Sequence, residues 1–347
     1  MKKILTVITA LSAAFAFGQD VHFSQYQTQP MMQNPALVGV KFDFGINLNY
    51  KDQWRQIGSP YKTFAASADS KLNRVPSETG YFAGGINFIS DKAGDSQMGT
   101  TQINMALAYH LKVAEHQTLG LGLMAGVGQR SIDYTFLTWG NQYDGTNYNP
   151  DLTSGENFGA DAFTHGDFAA GIVWHYNNKD GHINVTDNHD LKLNVGFSAY
   201  HLSRPKYSYL GVNHRLQMKY VLHGDGIISI ADTRYAWLPG FMFYSQGKAK
   251  ELLIGTMFRI KLQQDSKYTG KKNGSAISFG GYLRARDAFT PMMLFEFHQF
   301  AVGLSYDLNI SGLKPATNAR GGLEISLRFT NKNPFMDGKV KNSARMN

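Results

Sequence analysis

The chain of 347 residues contains no cysteine. That excludes a disulfide scaffold, thiolate metal sites, cysteine catalysis and a lipid anchor on an N-terminal cysteine. Charge is also scarce: Asp, Glu, Lys and Arg make up 17% of the residues, against roughly a quarter in an ordinary soluble domain. Beyond residue 18 no apolar run approaches the ~18 to 20 residues that a membrane helix needs, so a bundle of membrane helices is excluded. Proline is limited to 10 residues, and mean hydropathy is −0.30. What is abundant is glycine, with 36 residues, and aromatic side chains, at 13%. A chain with this aromatic content can bury enough apolar surface to fold, which argues against disorder. Low charge, high Gly, Tyr, Phe and Asn, and no long apolar run together describe a β-protein of the outer-membrane barrel type.

Residues 1–18 read as a secretory signal peptide. Lys2 and Lys3 form the basic start, Ile4 to Phe17 the apolar stretch, and Ala16 and Gly18 the small residues of a cleavage site before Gln19. The formal charge of +8 is spread along the chain without a basic cluster. A nucleic-acid partner would require one.

Several stretches alternate with period 2. Phe42, Phe44, Ile46, Leu48 and Tyr50 alternate with Lys41, Asp43, Gly45, Asn47, Asn49 and Lys51. Ile103, Met105, Leu107, Tyr109 and Leu111 oppose Gln102, Asn104, Ala106, Ala108 and His110; Leu191 to Ala199 and Phe300 to Leu308 repeat the pattern. One face suited to hydrocarbon and the other to a wet interior, over about ten residues, is the signature of a barrel strand. The pattern predicts strands near 41–51, 61–70, 81–90, 101–111, 118–130, 166–177, 191–202, 214–223, 227–245 (with a break), 249–263, 275–286, 290–298, 299–309 and 320–329. The fold class is therefore all-β, a single transmembrane antiparallel β-barrel of about 14 strands. An even number places both chain ends in the periplasm and the long 131–165 connection outside; 178–190 and 264–274 are long for periplasmic turns. The organisation reads as signal peptide 1–18, pre-barrel periplasmic segment or plug 19–40, barrel 41–329 and polar tail 330–347. Inward positions are mostly small or neutral, rich in Gly, Ala, Ser and Asn, and lack the Arg and carboxylate ladders of a general porin. Trp54, Trp139, Trp174 and Trp237 fall near strand ends, where aromatic girdles sit at the lipid headgroups.

No catalytic or nucleotide-binding motif is present. Histidines 175, 182, 189, 201, 214, 223 and 298 keep no ligand spacing, and the loop from Asp144 to Asp151 lacks the closing Glu of a calcium loop because Gly155 stands there. The reading is no enzyme, no metal and no cofactor. Ahead of the barrel, Asn34-Pro35-Ala36 has the form of a helical start, with Asn as cap and Pro at the first position.

Five blocks carry a resemblance. They are His22-Phe23-Ser24-Gln25 followed by Asn34-Pro35-Ala36; Tyr50-Lys51-Asp52-Gln53-Trp54-Arg55; His201-Leu202-Ser203-Arg204-Pro205; Gly303 to Asn309; and Gly321 to Leu327. In order and spacing they resemble the PorP/SprF family of the type IX secretion system, although Ser203 stands where other members often carry Asn or Thr. The resemblance implies an integral outer-membrane barrel that works with type IX secretion components and outer-membrane lipid. It further implies export or surface display of a large secreted protein, in gliding bacteria an adhesin. It supplies no catalytic residue. The partner-binding expectation falls on the periplasm-facing residues Phe23, Gln25, Asn34, Pro35 and Ala36 with the Gln53-Trp54-Arg55 turn. The alternative is an outer-membrane channel for small or hydrophobic solutes.

Overall fold

The computed structural model describes residues 20–55, 58–72, 79–156, 159–178, 191–209, 213–263, 274–312 and 314–331. The expected signal peptide, most of the tail and nearly all of the 178–190 and 264–274 connections, with His182 and His189, lie outside the described residues.

Fourteen antiparallel strands form one closed barrel, each paired with its sequence neighbours and the last with the first. They are β1 (Phe44–Gln53), β2 (Tyr61–Lys71), β3 (Gly80–Ala93), β4 (Met98–Ala114), β5 (Gln117–Ser131), β6 (Ala162–Asn177) and β7 (Leu191–Tyr200). The second half comprises β8 (Lys219–Ser229), β9 (Tyr235–Gln246), β10 (Ala249–Gln263), β11 (Ser275–Arg284), β12 (Ala288–Phe297), β13 (Phe300–Asn309) and β14 (Arg320–Asn331). Closure is made by β1 against β14, in register from Phe44 opposite Asn331 to Gln53 opposite Gly322. Closure pairs every strand edge, as hydrocarbon demands of any sheet that spans it.

Burial is inverted relative to a soluble protein. On β1, Leu48 and Tyr50 point out and are exposed, while Asn47, Asn49 and Lys51 point in and are buried. On β5 the lipid-facing Leu121 and Leu123 are exposed. Aromatic residues collect at the strand ends that carry the chain termini, as in the Tyr235, Phe258 and Phe279 series and the Phe300 and Phe329 pair. Trp174 and Trp237 lie at this same end. Trp54 sits at the opposite end, edge-on to Tyr61 at 4.9 Å, and Trp139 lies in the 132–161 connection. The connections 132–161, 201–218 and 310–319 all leave from the end opposite the chain termini. Long loops on that side identify it as extracellular and the termini side as periplasmic.

Two sequence expectations need correction. The run proposed as 227–245 is divided: β8 continues to Ser229, a turn spans 230–234, and β9 begins at Tyr235. Gly224 and Gly226 weaken the alternation in that stretch, so the boundary was misplaced. The final strand also reaches Asn331, two residues into the proposed tail.

Candidate functional site

Residues 20–43 run along the inside of the barrel, from the extracellular end at Asp20 to the start of β1. Their backbone makes only short helical turns, at Tyr26–Thr28, Pro30–Gln33 and Pro35–Leu37. Inside a barrel such a segment must find hydrogen-bond partners on the wall, and it does so at three levels.

At the extracellular level, the Ser24 and Gln25 amides donate to the two carboxylate oxygens of Glu324 on β14, at 2.8 and 2.9 Å. Ser24 Oγ donates to Asp307 on β13 at 2.7 Å. Gln25 Nε2 donates to Ser305 and to the Glu324 carbonyl, and its Oε1 accepts from Ser326 at 2.6 Å. Charge is neutralised around these contacts. Lys51 lies 3.5 Å from Asp307 and 3.9 Å from Glu324, and Arg284 approaches Asp307 at 3.0 Å and Asp287 at 2.9 Å. Beside them, Tyr244 donates to Glu251 at 2.6 Å and lies 2.9 Å from His22 Nδ1. At the upper tip, His201, just past β7, stands between Asp167 at 2.8 Å and Asp20 at 2.7 Å, with Lys219 3.5 Å from Asp20. Burial opposes the imidazolium, but the two carboxylates outweigh it and raise the His201 pKa to about 9. Burial likewise opposes the Asp20 carboxylate, and His201 and Lys219 hold it below its ordinary range. With both ring nitrogens engaged by carboxylates, His201 is a strut and has no free nitrogen to serve a neighbouring nucleophile.

In the middle, Gln29 donates to Asn49, Asn49 to Thr28, Tyr200 to the Met31 carbonyl and Ser198 to the Gln33 carbonyl, all between 2.6 and 3.0 Å. Asn34 caps the turn that follows it by accepting from the Ala36 amide at 2.9 Å, as the Asn-Pro-Ala order predicts. Its Nδ2 reaches the wall, 2.9 Å from the Ile172 carbonyl and 3.1 Å from His223. The approach is so close that a Cβ at Gly122 would overlap the Pro35 and Ala36 backbone, and one at Gly171 the Asn34 side chain. Lower down, His110 Nε2 donates to the Val38 carbonyl at 2.8 Å, the Gly39 amide to Asp69 at 2.9 Å, and Lys41 pairs with Asp225 at 3.1 Å.

The residues expected to bind a partner do not form one surface. Phe23, Gln25, Asn34, Pro35 and Ala36 are buried among the wall side chains and face no compartment. Gln53 ends β1 and Trp54 and Arg55 follow it at the extracellular end, because β1 rises from the periplasm; Arg55 is exposed and donates to Asp52 at 2.8 Å. Inward residues are small or neutral more often than charged, as the sequence reads, but the charged minority is paired to a degree the sequence did not suggest. Buried Lys51, Arg259, Arg284, Glu296, Asp307 and Glu324 show that the interior is laced with ion pairs. Each strand contributes only one or two of these charges, so the pairing becomes visible only once strands far apart in sequence are placed side by side. The buried His110 was not singled out either; a histidine among Ala and Gly on an inward face was its only signal.

The loop around Asp144 is exposed; its carboxylate caps the amides of Thr146 and Asn147 at 2.8 and 2.7 Å. Among the described residues no group of His, Asp and Glu is arranged to hold a metal ion.

Solved barrels resemble the chain at low identity. The toluene transporter TbuX of Ralstonia pickettii matches with 10% identity and a TM-score of 0.47, over 90% of this chain and 96% of that one. The monoaromatic hydrocarbon channel CymD matches with 11% identity and a TM-score of 0.46, over 90% and 95%. BamA of Haemophilus ducreyi, lacking POTRA domains 1–3, matches with 9% identity and a TM-score of 0.41, over 83% and 70%. No curated protein matches significantly. The type IX secretion system membrane protein PorP/SprF family matches residues 15–329, a span that takes in the inner segment and the barrel up to Phe329. The chain therefore belongs to the PorP/SprF family of type IX secretion system membrane proteins, an outer-membrane barrel with its N-terminal segment folded inside.

Proposed function

We propose that this barrel is a type IX secretion partner that supports the export or surface display of a large secreted protein, such as a gliding adhesin. In this reading residues 1–18 are removed as a signal peptide, residues 19–40 act as a plug, and the protein works by contact with secretion components. The observation that carries it is the family match over 15–329, a span that takes in the inner segment as well as the barrel. The filled interior agrees with it. A barrel of fourteen strands is wider than the roughly eight that wall side chains alone can fill, yet here the segment bonds across the interior at three levels. Such a barrel is better suited to holding partners than to passing solutes.

The test is quantitative proteomics of the cell surface and culture medium in a deletion strain and its complemented parent. Loss of one very large surface protein, with other exports intact, is the expected result. Loss of many exports would assign the barrel to the common export machinery. An unchanged secretome, together with solute conductance of the purified barrel, would replace this reading with a channel.

A further inference from the structure

At the extracellular mouth, the ends of β4, β5, β6 and β9 and the 201–218 connection surround a cavity of about 230 Å³. A cavity of about 150 Å³ accepts a benzene ring, so this one takes a six-membered ring with its substituents. Its lining has two characters. On the apolar side Phe163 meets Tyr207 and Tyr209 edge-on, at 5.3 and 5.0 Å between ring centres, and Met98 and Leu216 extend the surface. The polar side includes Asp20, Gln246, Arg130 and Gln217. The first two are already committed: Gln246 is bonded to Asp20 through both ends of its amide, and His201 and Lys219 hold the Asp20 carboxylate. Arg130 is not matched in this way. It donates to the Tyr207 hydroxyl and, at 2.9 Å, to Met98 Sδ, reaches Tyr209, and lies over the Tyr207 ring at 5.0 Å. Among the described residues no carboxylate forms an ion pair with it, and Asp91 acts on it only from beyond that distance. Gln217 accepts from Gln246 through its backbone carbonyl at 3.4 Å, and among the described residues its side-chain amide has no hydrogen bond.

We propose that this cavity binds an acidic sugar, a pyranose ring that carries a carboxylate, presented from the extracellular side. The carboxylate gives the Arg130 guanidinium the charged acceptor it lacks, in the geometry that arginine favours. The C–H face of the ring lies against the aromatic corner, and the ring hydroxyls exchange hydrogen bonds with the Gln217 amide. Both simpler ligands fit worse. An aromatic side chain matches Phe163 and Tyr209 but takes water from Arg130 and Gln217 without replacing its hydrogen bonds. A compact inorganic anion satisfies Arg130 and leaves the apolar side uncovered. The site does not depend on the secretion reading, because a barrel of any function could carry it. The same chemistry is offered by a free sugar acid and by one unit of an acidic polysaccharide.

The experiment uses the full-length barrel purified in an amine-oxide detergent, which carries no sugar headgroup, and follows binding by calorimetry and saturation-transfer NMR. The probes are the methyl glycosides of glucuronic, galacturonic and mannuronic acid, each beside its neutral hexoside. The expected results are binding of at least one uronide that weakens with salt, and an affinity at least tenfold lower for the matching neutral sugar. Arg130→Gln should lose the preference for the acid. Tyr209→Leu should weaken the acid and the neutral sugar alike and keep the preference. Failure of all three uronides to bind overturns the proposal, as does equal binding of an acid and its neutral counterpart. Those comparisons need no variant and so survive a misfolded mutant. Unchanged affinity in a correctly folded Arg130→Gln barrel overturns it too, and so does tighter binding of N-acetylphenylalanine, which would make the cavity a seat for an aromatic side chain. A trimer of the preferred uronide then separates the sources: tighter binding than the methyl glycoside supports the site with a polysaccharide as its ligand, and exclusion of the trimer supports it with a free sugar acid.

Discussion

The side chains that hold residues 20–40 in place are strongly polar, and most meet partners far away in sequence. Lys51 illustrates the energetics. Its ammonium is buried between Asp307 and Glu324 and also donates to the His22 carbonyl at 3.3 Å. Desolvating such a group is costly, and removal of one partner from a buried set typically costs about 3–5 kcal/mol because the rest are left uncompensated. These charges therefore set the position of the segment more than they add to stability. His201 extends the same logic to pH. Its pKa lies above the unfolded value, so the stability it contributes is fully present below about 6.5 and is lost as pH rises through about 9. Amide hydrogen exchange at residues 20–26, corrected for intrinsic rates, should accelerate between pH 7 and pH 10. In His201→Gln it should already be faster at pH 7 and show little further change. Equal protection at both pH values in the unmodified protein would contradict the role given to His201.

At the scale of elements, the strands follow from alternation and the connections from their lengths. The lipid face is a set of single residues whose removal from hydrocarbon can be measured. Leu123, mid-strand on β5 and 69% exposed, is the strongest case. Leu123→Arg should destabilise the barrel in lipid by about 2–4 kcal/mol, as expected near the bilayer centre, read as a shift of the urea midpoint in reversible unfolding. A shift within error would mean that β5 does not face lipid there. The number of strands and their faces were legible in the sequence because period 2 is a local signal that survives without tertiary context. Asn34-Pro35-Ala36 was legible for the same reason, since a cap acts on amides two residues away. The path of the inner segment and its ion pairs were not. Glu324 reads as one more polar residue on an inward face until Ser24 and Gln25, three hundred residues away, are placed against it. The boundary between β8 and β9 was lost where glycine thins the pattern.

For the molecule as a whole, wall and segment separate cleanly: strand pairing alone closes the barrel, and the segment occupies what the wall leaves open. Deleting residues 20–38 should leave a barrel that still shifts on unheated gels, as folded outer-membrane barrels do. In planar bilayers it should conduct at least tenfold more than the intact protein. A deleted barrel as silent as the intact one would mean that the wall collapses inward or that loops seal the mouth.

The contacts between the segment and β14 also bear on the order of assembly. Residues 20–43 leave the ribosome ahead of every strand, yet their upper end is bonded to the last one. Were the ring sealed first, a chain tethered at the periplasmic end would have to be threaded upward through a narrow bore, shedding water from each paired charge as it climbed. Winding the hairpins around the segment, with β14 meeting β1 last, forms the same bonds without that passage. The segment then acts as a mandrel, and the seam between the first and last strands is the point at which it becomes captive.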